Sequence, residues 1–291
     1  MRLPKFEYFE PETLEDALRL LAEWRERACV LAGGTDVLVK MRNGRLKPGA
    51  VIALERISSL NGIGFDSSKG LTIGAGAKLS DVASHPDILR YYPAIARAAR
   101  VMANVQVRNM GTIGGNLCNA APSAENAPPL VVLGAVVTAA SLEEERRIIL
   151  DDFFTGPGLT VLKPEEIMTS ILVPAPRAKS GSSYQRISAR CGVDIAAVSV
   201  AAMVRMEGNV LKEVRIALGA VAPVPMRAFK TEAFLLEKNW TPELLKEAAR
   251  MSADESRPIS DVRASSQYRR QMVAVLTLRA LEEAHARAMT H

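Results

Sequence analysis

Leu31–Asp36 reads LAGGTD, and Gly111–Asn116, about 80 residues later, reads GTIGGN. Each segment joins two adjacent glycines to a small polar residue. Adjacent glycines can adopt backbone conformations that other residues avoid, and no Cβ blocks the approach of a ligand. Where such a segment forms a turn, its successive free N–H groups form a concave site that binds anions. Two such sites suit a ligand with two phosphates, such as the pyrophosphate of a dinucleotide. Either segment taken alone is also compatible with a tight turn between a strand and a helix.

The better-known phosphate-binding fingerprints are absent from the chain. Gly74 and Gly76 begin a G-x-G pattern, but Leu79 occupies the place of the third glycine of G-x-G-x-x-G. No G-x-x-x-x-G-K-[ST] segment occurs, which argues against a P-loop kinase or ATPase. Neutral donors can bind a diphosphate when enough of them converge, so the absence of a P-loop lysine does not exclude a phosphate ligand.

The composition predicts a folded, soluble protein. The chain has 291 residues, of which 48% are hydrophobic, enough for two or three compact units. The longest apolar run, Leu130–Ala140, is too short to cross a bilayer and is interrupted by Gly134. Met1–Lys5 is followed by acidic residues instead of the apolar core of a secretory signal. We therefore expect no membrane span and a cytoplasmic location.

Charge and metal-ligating residues exclude further classes. The net charge is +5, but basic and acidic residues alternate along the chain and aromatic residues make up only 5%, so nucleic-acid binding is not expected. An iron–sulfur cluster normally takes four cysteine ligands, so three distant cysteines cannot hold one and are expected to be buried thiols. The scattered histidines predict no metal site. The cysteines are Cys29, Cys118 and Cys191, and the histidines are His85, His285 and His291.

The hydrophobic pattern predicts a small α/β unit followed by a larger mixed region. Apolar residues at helical spacing predict a helix over residues 13–24. Strands are expected at Ala28–Leu31, Val51–Leu54, Leu71–Ala75, Val136–Ala139, Arg147–Leu150 and Glu166–Val173, and helices at residues 36–42, 79–84, 93–102 and 128–133.

The last third of the chain predicts an antiparallel sheet with helices. Pro174–Gly181 has the composition of a linker. Ala197–Met206 and Val210–Ala217 flank Gly208-Asn209, which is typical of a hairpin. Thr241-Pro242-Glu243 predicts the start of a helix, with Thr241 as N-cap, and a last helix is expected over residues 265–288.

A longer string of residues connects the chain to a known family. The chain resembles the FAD-binding medium subunit of molybdenum hydroxylases, the group of xanthine dehydrogenase and carbon monoxide dehydrogenase. The matching stretches, in the expected order, are Ala32–Asp36, Gln106–Leu117, Pro122–Glu125, Glu165–Met168, Ile171–Pro174, Tyr184–Arg186, Arg190 and Asp194–Ala196.

The resemblance implies an α+β fold with two domains. Residues 1–176 would form a two-lobed FAD-binding domain of the p-cresol methylhydroxylase type, with lobes at about 1–57 and 58–176. Residues 177–291 would form the C-terminal α+β domain of the molybdenum hydroxylase flavoproteins. By the same resemblance FAD is the cofactor, its pyrophosphate lying between the two glycine segments. The implied contacts are Ala32, Gly33, Gly34, Thr35, Asp36, Thr112, Ile113, Gly114, Gly115, Asn116, Asn119, Glu125, Ile167, Met168, Tyr184 and Gln185.

Several of these positions carry a second interpretation. Glu125 lies where relatives often have aspartate near the adenosine sugar, and a loop charge is the alternative. Ile167 and Met168 match positions along the isoalloxazine, but core packing explains them equally well, as it does Tyr184. Gln185 falls where some relatives carry a lysine near the flavin, and a glutamine would not stabilise a reduced anionic flavin.

The resemblance also implies partners. The expected partners are a small subunit with [2Fe-2S] clusters, a large molybdenum-cofactor subunit and an external electron acceptor, NAD or another, in a dimer of heterotrimers. No catalytic residue is expected in this chain, because no Ser–His–Asp set or pair of catalytic carboxylates is visible. The alternatives are a stand-alone FAD-dependent oxidase or reductase of the same superfamily, and a binding module without catalysis.

Overall fold

The computed structural model describes residues 3–190 and 193–290. The expectations for Cys191, His291 and the first two residues therefore lie outside the described residues. Within the described ranges, no helix is both long and apolar enough to cross a membrane. The same ranges contain no group of three or more His, Cys, Asp or Glu side chains placed to hold a metal ion.

The first sheet is small and parallel. Its order is β1-β3-β2, and a helix packs against it through buried Ala17, Leu18 and Leu21. Thr13 caps this helix by accepting a hydrogen bond from the Asp16 N–H at 3.1 Å. The predicted helix and strands are confirmed to within a residue. The elements are β1 (Glu7–Phe9), α1 (Leu14–Trp24), β2 (Ala28–Leu31), α2 (Val37–Arg42) and β3 (Ala50–Ala53).

The second sheet is antiparallel, with the order β4-β5-β10-β6-β7. A group of short helices covers it, and a two-stranded ribbon of β8 and β9 lies beside it. The strands are β4 (Ile63–Asp66), β5 (Gly70–Gly74), β6 (Val136–Ala140), β7 (Glu145–Ile149), β8 (Phe154–Gly156), β9 (Leu159–Thr160) and β10 (Ile167–Val173). The helices are α3 (Leu79–Ser84), α4 (Pro86–Tyr91), α5 (Pro93–Val101), α6 (Val105–Met110), α7 (Ile113–Cys118) and α8 (Ala127–Val132).

The third sheet is the predicted C-terminal one. Its order is β11-β12-β13-β14, and the hairpin turn has φ of 59° at Gly208. As predicted, Thr241 caps the helix that begins at Pro242, and its side chain accepts a hydrogen bond from the Leu244 N–H. The elements are β11 (Ser180–Ile187), β12 (Val198–Glu207), β13 (Val210–Gly219), β14 (Met226–Arg227), α9 (Phe229–Leu235), α10 (Pro242–Glu255) and α11 (Ser266–Thr290).

The second glycine segment corrects the sequence prediction. The sequence was compatible with a tight turn between a strand and a helix, but helix α6 precedes this segment and Ile113–Cys118 is itself helical. The Thr112 hydroxyl accepts from the Gly115 N–H at 3.0 Å, which fixes the first turn of α7. Within this helix, position 114 has room only for glycine, because a Cβ there would lie 2.6 Å from the Cβ of Ala75. Close packing on the end of β5 therefore requires this glycine.

Candidate functional site

A cavity of about 610 Å³ opens between the first sheet and the helices of the second. All residues of Ala32–Asp36 line it, and so does the second glycine segment except Ile113. A volume of this size is within the range of cofactor and ligand sites. The structure thus brings the two glycine segments to one cavity, although they are about 80 residues apart.

The two segments touch through their backbones. A Cβ on Gly33 would lie 2.0 Å from the carbonyl oxygen of Met110, so only glycine permits this approach. A Cβ on Gly115 would instead approach the Thr112 hydroxyl at 2.9 Å and the Cβ of Ala32 at 3.9 Å. Its missing side chain leaves open space between the two segments. This space suits a thin, polar ligand such as a diphosphate.

Free backbone donors come almost entirely from the first segment. Among the described residues, the N–H groups of Gly33–Asp36 have no hydrogen-bond acceptor. In the second segment the N–H groups of Ile113 and Gly114 donate to the carbonyls of Ala77 and Ala75, and that of Asn116 donates to the carbonyl of Thr112. The expected cradle of N–H groups therefore exists on one side only. On the other side, side chains must supply the donors.

Asn116 and Asn119 lie on that other side. Asn116 accepts from the buried Asn126 amide at 3.0 Å, so its side chain is held in place. The Asn119 oxygen accepts from Lys40 Nζ at 2.6 Å. Lys40 and Lys78 both line the cavity, although neither was predicted from the sequence. One signal was available, since Lys40 lies one helical turn after Asp36 and therefore on the same face of α2.

Ile167 and Met168 line the cavity at the start of β10, next to Glu166. Arg146 holds the Glu166 carboxylate with two hydrogen bonds, of 2.7 and 2.8 Å, and thereby lowers its pKa. Both apolar side chains are buried, Ile167 at 3% exposure and Met168 at 4%. Their position fits both expected roles, contact with a planar ring and core packing.

The remaining expected residues lie elsewhere. Ile113 points into the core, and Glu125, Tyr184 and Gln185 do not line the cavity. Tyr184 donates a hydrogen bond to the buried Glu125 carboxylate, and the Nε of Arg186 lies 3.4 Å from that carboxylate. Gln185 faces the opposite side of β11 and donates to Glu283 on α11 at 2.6 Å. Contact of these residues with a cofactor stays a prediction.

Burial dominates the electrostatics of the Glu125 cluster. It raises the pKa of Glu125 to about 7, against the opposing effects of Arg186 and the Tyr184 hydrogen bond. Burial also raises the pKa of Tyr184 well above its usual value. The guanidinium of Arg186 is fixed by the carbonyls of Val101 and Asp194, each at 2.8 Å. Glu125 is therefore a buried acid with a pKa near neutrality.

Two cysteine side chains also line the cavity. Burial raises the pKa of Cys29, and it raises the pKa of Cys118 to about 12. Both thiols are therefore protonated at neutral pH and are poor nucleophiles. Among the lining residues there is no histidine. The cavity is equipped to bind a ligand and lacks a nucleophile–base pair.

The chain matches two family descriptions in succession. Residues 4–176 match the FAD binding domain in molybdopterin dehydrogenase, and residues 183–284 match the CO dehydrogenase flavoprotein C-terminal domain. The glyceraldehyde dehydrogenase medium chain of Sulfolobus acidocaldarius is 33% identical over 96% of this chain and 98% of its own length.

Solved structures give the same result. The chain superposes with a TM-score of 0.95, at 34% identity, on carbon monoxide dehydrogenase from Hydrogenophaga pseudoflava, covering 99% of both chains. For quinoline 2-oxidoreductase from Pseudomonas putida 86 the TM-score is 0.92 at 28% identity, over 99% of this chain and 100% of the other. These likenesses confirm the predicted α+β fold, with FAD as the cofactor of an oxidoreductase subunit. The chain belongs to the FAD-binding medium subunits of the xanthine dehydrogenase and carbon monoxide dehydrogenase family.

Proposed function

We propose that this chain is the electron-transfer subunit of a three-component molybdenum hydroxylase. Two electrons leave the organic substrate at a molybdenum cofactor in a large subunit. FAD held in the cavity would accept these two electrons from the [2Fe-2S] clusters of a small subunit, together with two protons, and would pass the electrons to an external acceptor such as NAD. FAD supplies the step between one-electron and two-electron carriers.

The cavity is the observation that supports this proposal best. It has donors for a diphosphate on one side and apolar side chains at Ile167 and Met168, whereas its lining has no histidine and its two cysteines are protonated thiols. The carboxylate of Glu166 is bound by Arg146. A stand-alone oxidase needs acid–base groups at its substrate site. The relatives named above act on three different substrates, which fits a shared subunit that does not select the substrate.

The division into residues 1–176, with lobes at about 1–57 and 58–176, and residues 177–291 belongs to this proposal. So do the cytoplasmic location and the assembly as a heterotrimer. The chain's three cysteines are too few for an iron–sulfur cluster, so the clusters must come from a partner.

The test is reconstitution. We expect the purified chain to bind FAD and to show no hydroxylase activity on purines, aldehydes or aromatic heterocycles. Addition of the small and large subunits should allow the complex's substrate to bleach the visible absorbance of the oxidised flavin. Substrate turnover by the isolated chain in the absence of molybdenum would favour the stand-alone oxidase instead.

A further inference from the structure

Two lysines reach the cavity from different parts of the chain. Lys40 is on α2, after the first glycine segment, and Lys78 directly precedes α3. The Lys40 amino group donates to Asn119, in the turn after α7, at 2.6 Å. The backbone of Lys78 is paired with that of Thr112, and its amino group lies 3.4 Å from the Met110 carbonyl oxygen. Both amino groups therefore lie beside the second glycine segment.

That side of the cavity is short of backbone donors. The N–H groups of residues 113–116 are all used within the protein, whereas those of residues 33–36 are free. A diphosphate between the two segments would meet a row of N–H groups on one side and mainly side chains on the other. The ammonium groups of lysine carry three donors each and are the strongest available there.

The charges that line the cavity lead to the same conclusion. The acidic side chains are Asp36, Glu55 and Glu166, and the last is neutralised by Arg146. Lys40 and Lys78 balance the other two. Without the lysines, the lining would be negative by two formal charges and would repel a diphosphate. The two lysines thus offset the negative charge of the lining and allow the cavity to bind an anion.

We propose that Lys40 and Lys78 bind the pyrophosphate of FAD and give this chain its preference for the dinucleotide over riboflavin. In this arrangement the first glycine segment supplies backbone donors and the two lysines supply the charge on the facing side. Lys40 also connects α2 with the turn after α7, so a bound pyrophosphate replaces Asn119 as its main partner. The inference rests on the proposed function, because it concerns the same cofactor site.

The experiment compares FAD and riboflavin affinity in Lys40→Gln, Lys78→Gln and the double variant. Glutamine keeps a donor and much of the length but removes the charge. Lys69→Gln is the matched control, because Lys69 is exposed in the turn between β4 and β5 and does not line the cavity. Flavin fluorescence titration gives the dissociation constants, and thermal unfolding without flavin checks the fold.

We expect each single variant to weaken FAD binding about tenfold and the double variant about a hundredfold. Riboflavin affinity should change less than about twofold, since riboflavin has no phosphate. Raising the salt concentration should weaken FAD binding by the wild type more steeply than by the double variant. The Lys69→Gln control should match the wild type throughout.

Two results would overturn the assignment of the lysines. One is a double variant that binds FAD within about threefold of the wild type. The other is an equal loss of FAD and riboflavin affinity, which would indicate a general change in the cavity. A wild-type chain that binds neither flavin would instead refute the proposed function, so the two failures are distinguishable.

Discussion

At the scale of single residues, the glycines of the two segments have different tasks. Gly33 and Gly114 are required by backbone approach, to Met110 and Ala75 respectively. Gly34 has φ of 71°, which an L side chain rarely adopts. Gly115 has an ordinary φ, and a Cβ there would lie 2.9 Å from the Thr112 hydroxyl and 3.9 Å from the Cβ of Ala32, between the two segments. It is therefore the position at which a side chain would obstruct the ligand more than the fold.

We expect Gly115→Val to weaken FAD binding at least tenfold. The branched side chain would occupy the space between Thr112 and Ala32. A pyrophosphate displaced by this side chain would lose at least one hydrogen bond from the first segment to a charged phosphate oxygen. Such a loss costs about 1.5–3 kcal/mol, which corresponds to roughly 10- to 100-fold in affinity. Gly64→Val is the control, because a Cβ at this position in β4 has no neighbour within 4 Å. If both variants fold and bind FAD like the wild type, Gly115 does not line the pyrophosphate site.

The buried acid predicts a pH dependence of stability. Burial raises the pKa of Glu125 from 4.5 to about 7, so the folded protein binds a proton that the unfolded chain has lost in this range. The stabilisation is complete below about pH 4.5 and is lost as the pH rises through about 7, to a total of about 3 kcal/mol. In urea unfolding at fixed FAD concentration, Glu125→Gln should lack this decline between pH 5 and pH 8. Parallel pH profiles for the wild type and the variant would contradict the buried-acid assignment.

At the scale of secondary structure, long or strongly signalled elements were predictable. Helix α1 follows from its apolar spacing, and the hairpin of β12 and β13 follows from Gly208-Asn209. Of the six-residue helices, α2, α3 and α8 were predicted, whereas α4, α6 and α7 were not, because so short a segment has little periodic pattern and depends on tertiary contacts. The glycines at positions 114 and 115 made helix α7 harder still to predict from the sequence, because glycine is a poor helix former in isolation.

The candidate site was predictable to a similar extent. Both glycine segments and the Ile167-Met168 pair were identified from the sequence, and the structure places them in one cavity, apart from the buried Ile113. Lys40 and Lys78 were missed because each lies in an ordinary amphipathic or turn segment, and their approach to the cavity depends on how the sheets pack. The Glu125–Tyr184 hydrogen bond joins the turn before α8 to strand β11, 59 positions along the chain, a contact that local patterns do not encode.

At the scale of the whole molecule, the first two sheets form the cavity and the third closes the protein behind the second. Leu54 and Leu60 share a hydrophobic cluster with Ile167, which joins the first sheet to the second beneath the cavity. Tyr184 and Ala201 of the third sheet pack into the core of the second. The cavity is therefore a product of the first two sheets and their helices, and the third sheet contributes to the core behind it without lining it.

This arrangement predicts one non-covalently bound FAD per chain. The cavity extends from the two glycine segments to the apolar pair at the start of β10, so we expect a dinucleotide to use more of it than FMN does. A covalent flavin link needs a reactive side chain, but the thiols of Cys29 and Cys118 are protonated because burial raises their pKa. Acid precipitation should release all flavin into the supernatant as FAD, with a stoichiometry near one, and FMN should bind much more weakly. Flavin that stays with the precipitate, or FMN as the native species, would show that this cavity holds its cofactor in another way.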